Sequence, residues 1–524
     1  MARRVTARSG RRDPLSLVGD TGGMHAVDAG PPIATVNPAT GEVLETFDPL
    51  GRDEVEARLA TAEACAATWA RSTFAERSRL LITAAELLEG EVPVIAEMVT
   101  TEMGKPFAQA KGEVVKCANG FRWFAEHAEA LLEDREVPVE ASLGLVTYQP
   151  LGAVLAIMPW NFPLWQVARF IAPAIMVGNV GLLKHAPSVP RTALFLEDLF
   201  RRAGGPDGIL QTLLIGTDQV PGIIADRRVA AVTLTGSTAA GRAVAAQAGA
   251  VGKKVVLELG GSDPFVVLPS ADLERAIAVG VQARVQNGGQ SCIAAKRFIV
   301  HADVAEEFTR GFVAAMESLS VGDPLDPATE VGPLINAAAV DTIEAQVEDA
   351  RAKGAVILCG GERVVGPKGP DAPGCFYRPT VITGITPAMR VATEEVFGPV
   401  ALFAGHAGGH RRGLRPRRPP LHGGRRRRGA GRGQRHRVRA GIERLDHRSR
   451  RAADLRRGPR GRPGLHQRDD RLDAPAPLRR HQGLRHRPRA GRGGPARVLQ
   501  REVGVDRLTP SPSAGPGGPA GRTY

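Results

Sequence analysis

The sequence predicts an α/β fold built on a doubly wound parallel sheet, and three observations predict it. Beyond Gly152, short aliphatic runs alternate with helix-length stretches, the signature of βαβ units. A glycine and hydroxyl turn, Thr235-Gly236-Ser237-Thr238, joins one such run to the helical stretch after it, and a helix N-terminus there is a ready anion site. The 524 residues are 43% hydrophobic, enough for the cores of two or three domains.

Taken in order, residues 1–32 are polar, aperiodic and Arg- and Gly-containing; they read as a disordered extension, with Met24 as a second candidate start. From Val55 to about Leu132 apolar residues recur at helical spacing, as in Leu80, Leu81, Ala84, Leu87 and Leu88, which predicts a helical layer. Segments 136–139 and 144–149 read as a hairpin. Strands are then expected at 153–158, 179–183, 209–214, 230–234 and 254–258, separated by helices at 163–177, 189–203, 217–226 and 238–248. A second α/β unit begins near 264 and runs through 296–300 and 355–358.

Charge separates this body from the tail. From Gly405 onward there are 33 Arg, no Lys and 8 Asp or Glu, against 36 basic and 47 acidic residues before it, so the net +14 belongs to the tail and the body is mildly acidic. Nucleic acid is therefore not an expected partner of the body. The five cysteines are scattered without a C-x-x-C, which points to neither a disulfide framework nor a zinc site. No apolar run approaches the roughly 18 residues a membrane span needs, and a cytoplasmic location is the expectation.

Glu258 and Cys292 carry the chemistry. Cys292 ends the polar, glycine-rich run Gly288-Gly289-Gln290-Ser291, where backbone N–H groups can face a substrate oxygen. Glu258 closes the apolar run Val255-Val256-Leu257 at an expected strand end, where open α/β sheets bind ligands. A thiolate adds readily to an aldehyde, and a carboxylate nearby can activate water. Asn161, in a Pro-flanked loop, reads as a turn residue or as an oxyanion donor, and Ser237 as a phosphate ligand or an ordinary helix cap.

Four segments in order, Pro159-Trp160-Asn161-Phe162-Pro163, Leu257-Glu258-Leu259-Gly260-Gly261, Gly289-Gln290-Ser291-Cys292 and Glu395-Val396-Phe397-Gly398-Pro399, resemble the signatures of the aldehyde dehydrogenase superfamily. Leu183-Lys184-His185-Ala186-Pro187, Ser262-Asp263-Pro264-Phe265 and Ala294-Ala295-Lys296-Arg297-Phe298 resemble its bacterial succinate-semialdehyde dehydrogenases. The resemblance spans about 33–404. It implies an aldehyde dehydrogenase-like fold: a dinucleotide-binding domain from 33–135 and 152–257, an oligomerisation hairpin at 136–151 and a catalytic domain at 258–404. It implies Cys292 as nucleophile, Glu258 as base and Asn161 with the Cys292 N–H as oxyanion donors. Cofactor contacts fall on Trp160, Lys184, Gly236, Ser237, Leu259, Glu395 and Phe397.

Three positions after Lys184, where many NAD-specific relatives have Glu, this chain has Pro187 followed by Ser188. Without that carboxylate NADP is the expected cofactor, NAD remaining possible. Arg169 is the candidate for a substrate carboxylate, while Gln286 stands where some relatives carry a second Arg. The expected substrate is succinate semialdehyde, with another short aliphatic aldehyde, or an inactive frameshifted product, as the alternatives. The family implies a homo-oligomer.

The tail fits another explanation. Read one base over with free third positions, Leu478-Arg479-Arg480-His481-Gln482-Gly483-Leu484-Arg485-His486-Arg487-Pro488-Arg489-Ala490 permits Phe-Gly-Gly-Ile-Lys-Ala-Ser-Gly-Thr-Gly-Arg-Glu-Leu, which resembles the family's C-terminal signature. The expectation is a frameshift between Ala401 and Ala404, leaving the catalytic domain truncated and 405–524 as an Arg-rich, disordered, out-of-frame tail.

Overall fold

The computed structural model describes residues 32–140, 143–370 and 374–403. The expectations for the N-terminal extension, the 405–524 tail and the frameshift lie outside the described residues, apart from residue 32.

The chain enters through an antiparallel pair, Ile33–Val36 with Val43–Phe47, which the sequence reading did not anticipate. Four helices then form the expected layer, Arg52–Trp69, Phe74–Gly90, Val92–Met103 and Phe107–Leu131. Their inward positions are the apolar ones at helical spacing: Leu80, Leu81, Ala84 and Leu88 are all buried. Thr73 caps the second helix with a reciprocal Glu76 contact, satisfying two helix-end donors.

The first five-stranded sheet is wholly parallel, in the order Leu210–Thr212, Val180–His185, Ala153–Met158, Val229–Thr235, Lys254–Glu258. The chain starts at the central strand, builds outward to one side, then crosses to the other. That reversal opens a crevice at the carboxyl ends of Ala153–Met158 and Val229–Thr235, where doubly wound sheets hold ligands. All six residues of Val180–His185 are buried, as befits a strand covered on both faces. Helices Trp165–Val177, Pro190–Arg202, Val220–Ala225 and Thr238–Ala250 connect the strands, and Trp165–Val177 packs on Phe107–Leu131.

The second sheet runs Asp263–Val267, Ala295–Val300, Val400–Phe403, Thr380–Thr383, Val356–Cys359, with only the last strand antiparallel. Its core is a cluster of phenylalanines: the Phe298 and Phe403 rings stack at 5.1 Å, with Phe312 at 4.6 Å from Phe298. Burying one Phe contributes about 2 kcal/mol.

Most expected elements recur within a few residues. The hairpin is the correction: strands expected at 136–139 and 144–149 shrink to Arg135–Glu136 and Leu145–Val146. Pro138 lies inside the first and has no N–H to donate to the ladder. The strand expected at 209–214 contracts to Leu210–Thr212. Among the described residues no helix is long and apolar enough to cross a membrane.

Candidate active site

The chain leaves the central strand at Met158 and turns through Trp160, Asn161 and Phe162 into the helix Trp165–Val177. A carboxylate from another helix fixes that turn. Glu113 Oε1 accepts from the backbone N–H groups of Leu164 at 3.0 Å and Trp165 at 2.9 Å, donors the first turn of a helix leaves free. Its other oxygen pairs with Lys105, whose ammonium lies 4.0 Å from the Phe162 ring centroid. Both partners are buried; burial lowers the Lys105 pKa against the opposing pull of Glu113. Nothing in the local pattern marks this pair.

Asn161 is 4% exposed, and its Nδ2 donates to the Gln290 carbonyl at 3.0 Å. Turning the amide over would set two oxygens against each other, so the carbonyl at Gln290 fixes the orientation. One Nδ2–H remains beyond that bond. In return Asn287 Nδ2 donates to the Asn161 carbonyl at 2.7 Å. The oxyanion candidate and the loop leading to Cys292 are thus tied together across 129 positions of chain.

That loop is strained. Asn287, Gly288 and Gly289 all lie in the left-handed region, at φ +57°, +63° and +74°. Asn287 is the only non-glycine residue there among the described residues, at a cost of about 1 kcal/mol or more. Its N–H donates to Gln109 Oε1 at 2.7 Å. At Gly289 a side chain is also impossible for space, since a Cβ would stand 2.3 Å from the Gly398 carbonyl oxygen. The glycines of two separate motifs therefore face each other. Arg284, fully buried, donates to the carbonyls of Gly289 at 2.7 Å and Ala295 at 3.3 Å, and burial lowers its pKa to about 9. It braces the loop. Gln286 is exposed at the start of the turn.

Cys292 is half-buried, and its carbonyl accepts from Lys296 Nζ at 3.0 Å. The same ammonium donates to Gly261 O at 2.7 Å and pairs with Glu395 Oε1 at 2.7 Å. Gly261 N donates to Glu395 as well, at 3.3 Å, and a Cβ on Gly260 would lie 2.1 Å from Glu395 Oε2. This accounts for the glycine at 260. Lys296 lies in a segment that carries the family resemblance, and no local signal in the sequence marks it for this role.

Glu258 ends the edge strand in register with Thr235. Its carboxylate is half exposed and lies 3.7 Å from the guanidinium of Arg169, which also donates to Thr235 Oγ1 at 3.0 Å. Arg169 thus stands beside the candidate base. The Trp160 ring meets Phe397 edge-on at 5.8 Å.

On the cofactor side, Ser237 caps Thr238–Ala250 by accepting from Ala240 N, with Gly236 before it; Leu259 packs where Gly241 leaves room. Lys184 is 6% exposed and its pKa is lowered by burial alone; no hydrogen bond or ion pair of its ammonium is found among the described residues. A buried cation without a partner is costly, so an anion or a polyhydroxyl ligand fits there. Pro187 is exposed and Ser188 half-buried just beyond. Neighbouring His185 accepts from Ala186 N at Nδ1 and so donates from Nε2 to Pro163 O at 2.9 Å, and burial drives its pKa down to about 4.

Residues 26–405 match the model of the aldehyde dehydrogenase family. The chain is 56% identical over 373 residues to "Succinate-semialdehyde dehydrogenase [NADP(+)] 1" of Mycobacterium tuberculosis, covering 71% of this chain and 80% of that protein. It is 56% identical over 372 residues to the corresponding NADP(+) protein of Mycobacterium leprae, covering 70% and 80%. Among solved structures it resembles a succinic semialdehyde dehydrogenase from Streptococcus pyogenes in complex with NADP+, with TM-score 0.69 and 36% identity over 72% of this chain and 82% of the other.

Proposed function

The chain belongs to the aldehyde dehydrogenase family, and we propose that it oxidises succinate semialdehyde to succinate with NADP. The observation that carries this reading is the frame that ties Asn161 to the Cys292 loop through Gln290 and Asn287. The relatives and the solved neighbour that bind or act on these compounds support the choice of both.

The Cys292 thiolate adds to the aldehyde carbon, and the carbonyl oxygen becomes an anion bonded by the remaining Asn161 Nδ2–H and the Cys292 N–H. Removing one such donor typically costs about 2.7–4 kcal/mol of barrier. Lys184, Gly236, Ser237 and Glu395 would hold NADP, which would supply the acceptor for the hydride leaving the carbon bonded to Cys292. A thioester remains on Cys292. Glu258 takes a proton from water as the water oxygen attacks this carbon, and the thiol leaves as the acid forms. Arg169 bonds the far carboxylate of the substrate; because it also lies 3.7 Å from Glu258, that carboxylate and the base share one cation.

The residues present fit NADP. Lys184 offers a buried, unpartnered ammonium, Gly236 and Ser237 a helix N-terminus, and Pro187 with Ser188 no carboxylate to repel a 2′-phosphate. Glu395 and Phe397 border the nicotinamide side, with Trp160 and Leu259 completing the walls. The hairpin 135–146, with Val137, Val139 and Leu145 exposed, joins a second copy in a homo-oligomer, and the protein works in the cytoplasm. Steady-state rates with succinate semialdehyde and each nicotinamide cofactor test this. NADP turnover exceeding that with NAD and with butanal is expected; equal rates for butanal would remove Arg169 from the reading.

A further inference from the structure

We propose that Lys296 is a positioning residue that couples the cofactor-facing carboxylate of Glu395 to the backbone of Cys292, so that filling the nicotinamide side of the site changes how readily the Cys292 thiol reacts. This rests on the reading of Cys292 as nucleophile and of Glu395 as a cofactor contact.

Lys296 lies on the strand Ala295–Val300, four residues past Cys292, with its side chain fully buried. An ammonium has three N–H donors, and each has one acceptor here: Gly261 O, Cys292 O and Glu395 Oε1. These acceptors belong to three segments far apart in sequence. None of the donors is left over, and no water is needed to satisfy the charge. A methionine of similar length would fill the space, but it would orphan two carbonyls and leave Glu395 beside no cation. The charge, and not the bulk, is therefore what the site requires.

The carboxylate is asymmetric. Oε1 serves Lys296 and the Gly261 N–H, whereas Oε2 lies over Gly260, in the space that a side chain would occupy. The group is 27% exposed although its partner is not, so a ligand hydroxyl reaches Glu395 and not Lys296. Charge drawn toward such a hydroxyl weakens the pull on Lys296, whose remaining two bonds hold the Cys292 and Gly261 carbonyls. Bonds in a shared chain polarise one another. Phe397, which meets Trp160 edge-on, also stands 5.9 Å from the ammonium, so movement of the aromatic pair reaches the same centre.

The test uses the full chain and needs no turnover. The rate of iodoacetamide alkylation is followed at the Cys292 peptide by mass spectrometry with and without saturating NADP, and NADP binding is followed separately by protein fluorescence. In the parent, NADP is expected to change the alkylation rate about fivefold or more. Lys296→Met removes that response while still binding NADP, Glu395→Gln removes it too, and Lys296→Arg keeps part of it. A Lys296→Met protein that responds as the parent does, or a parent that binds NADP without any response, overturns the proposal. Should Lys296→Met fail to fold by circular dichroism, Glu395→Gln decides, and a retained response there is equally fatal. A chain that couples alkylation to NADP yet oxidises no aldehyde would refute the functional reading alone.

Discussion

The two five-stranded sheets are built from the same βα units but are covered very differently. In the first, the strand Val180–His185 is buried throughout, and one continuous core joins the sheet to the four-helix layer. In the second, the edge strand Asp263–Val267 buries only Val267, and Val266 and Leu268 stand 57% exposed. Its core divides in two, one part around Phe298 and Phe312, the other around Ile343 and Val347. Apolar residues left in a row at a sheet edge mark a surface that another segment covers. The first sheet shares one core with the four helices, whereas the second sheet, beside Cys292, leaves Val266 and Leu268 exposed at its Asp263–Val267 edge. The last described strand, Val400–Phe403, lies in the middle of that second sheet.

The largest expected effect separates the halves by function. Cys292→Ser should lower aldehyde oxidation by on the order of 10⁴-fold while NADP affinity, measured by fluorescence titration, stays within about twofold; joint loss of both would mean the halves do not act separately.

Next comes the acid stability of the half built on the first sheet. With its folded pKa near 4 against about 6.5 when unfolded, His185 takes up a proton on unfolding between those values. Its contribution is therefore present at neutral pH and is lost as pH falls from 6.5 through 4, amounting to about 3 kcal/mol. Denaturant unfolding of His185→Gln against the parent across this window should show a smaller loss of stability toward pH 4 in the variant; parallel curves would mean that His185 does not contribute.

Lys184→Met tests the same half from the ligand side. The NADP Kd should rise about 10–100-fold, yet the free protein should melt no lower than the parent, because an unpartnered buried charge has been removed. A lower melting temperature would reveal a partner for Lys184.

The smallest effect concerns the open edge. Replacing 404–524 with the second-frame translation should raise turnover about tenfold and slow amide exchange in Asp263–Val267 relative to Val180–His185. Unchanged exchange would show that the edge is covered by something else, and an interrupted second frame on resequencing would end the frameshift idea.

Much of the fold was legible because periodicity reports burial. The strand expected at 153–158 has those bounds, and the helix expected at 238–248 ends two residues later. The short pair Ile33–Val36 and Val43–Phe47 escaped notice because its exposed positions blur the alternation. At the site, the turn residues Asn161, Gly236 and Cys292 stood out because glycine, proline and hydroxyl neighbours mark loops after strands. Arg284 escaped notice, since nothing in its local sequence marks an arginine that is fully buried and bonded to the carbonyls of Gly289 and Ala295.

The sequence by itself determined the parallel sheet, the glycines that permit close approach and the types of the reacting side chains, all of which are local matters of backbone sterics and patterning. Only the tertiary structure decided what holds them: Glu113 on the Asn161 turn, Asn287 and Gln290 between that turn and Cys292, Lys296 between Cys292 and Glu395. These bonds join residues from 4 to 129 positions apart, and the direction in which a buried polar side chain points is set by which segment packs against it, information that no single stretch of chain contains.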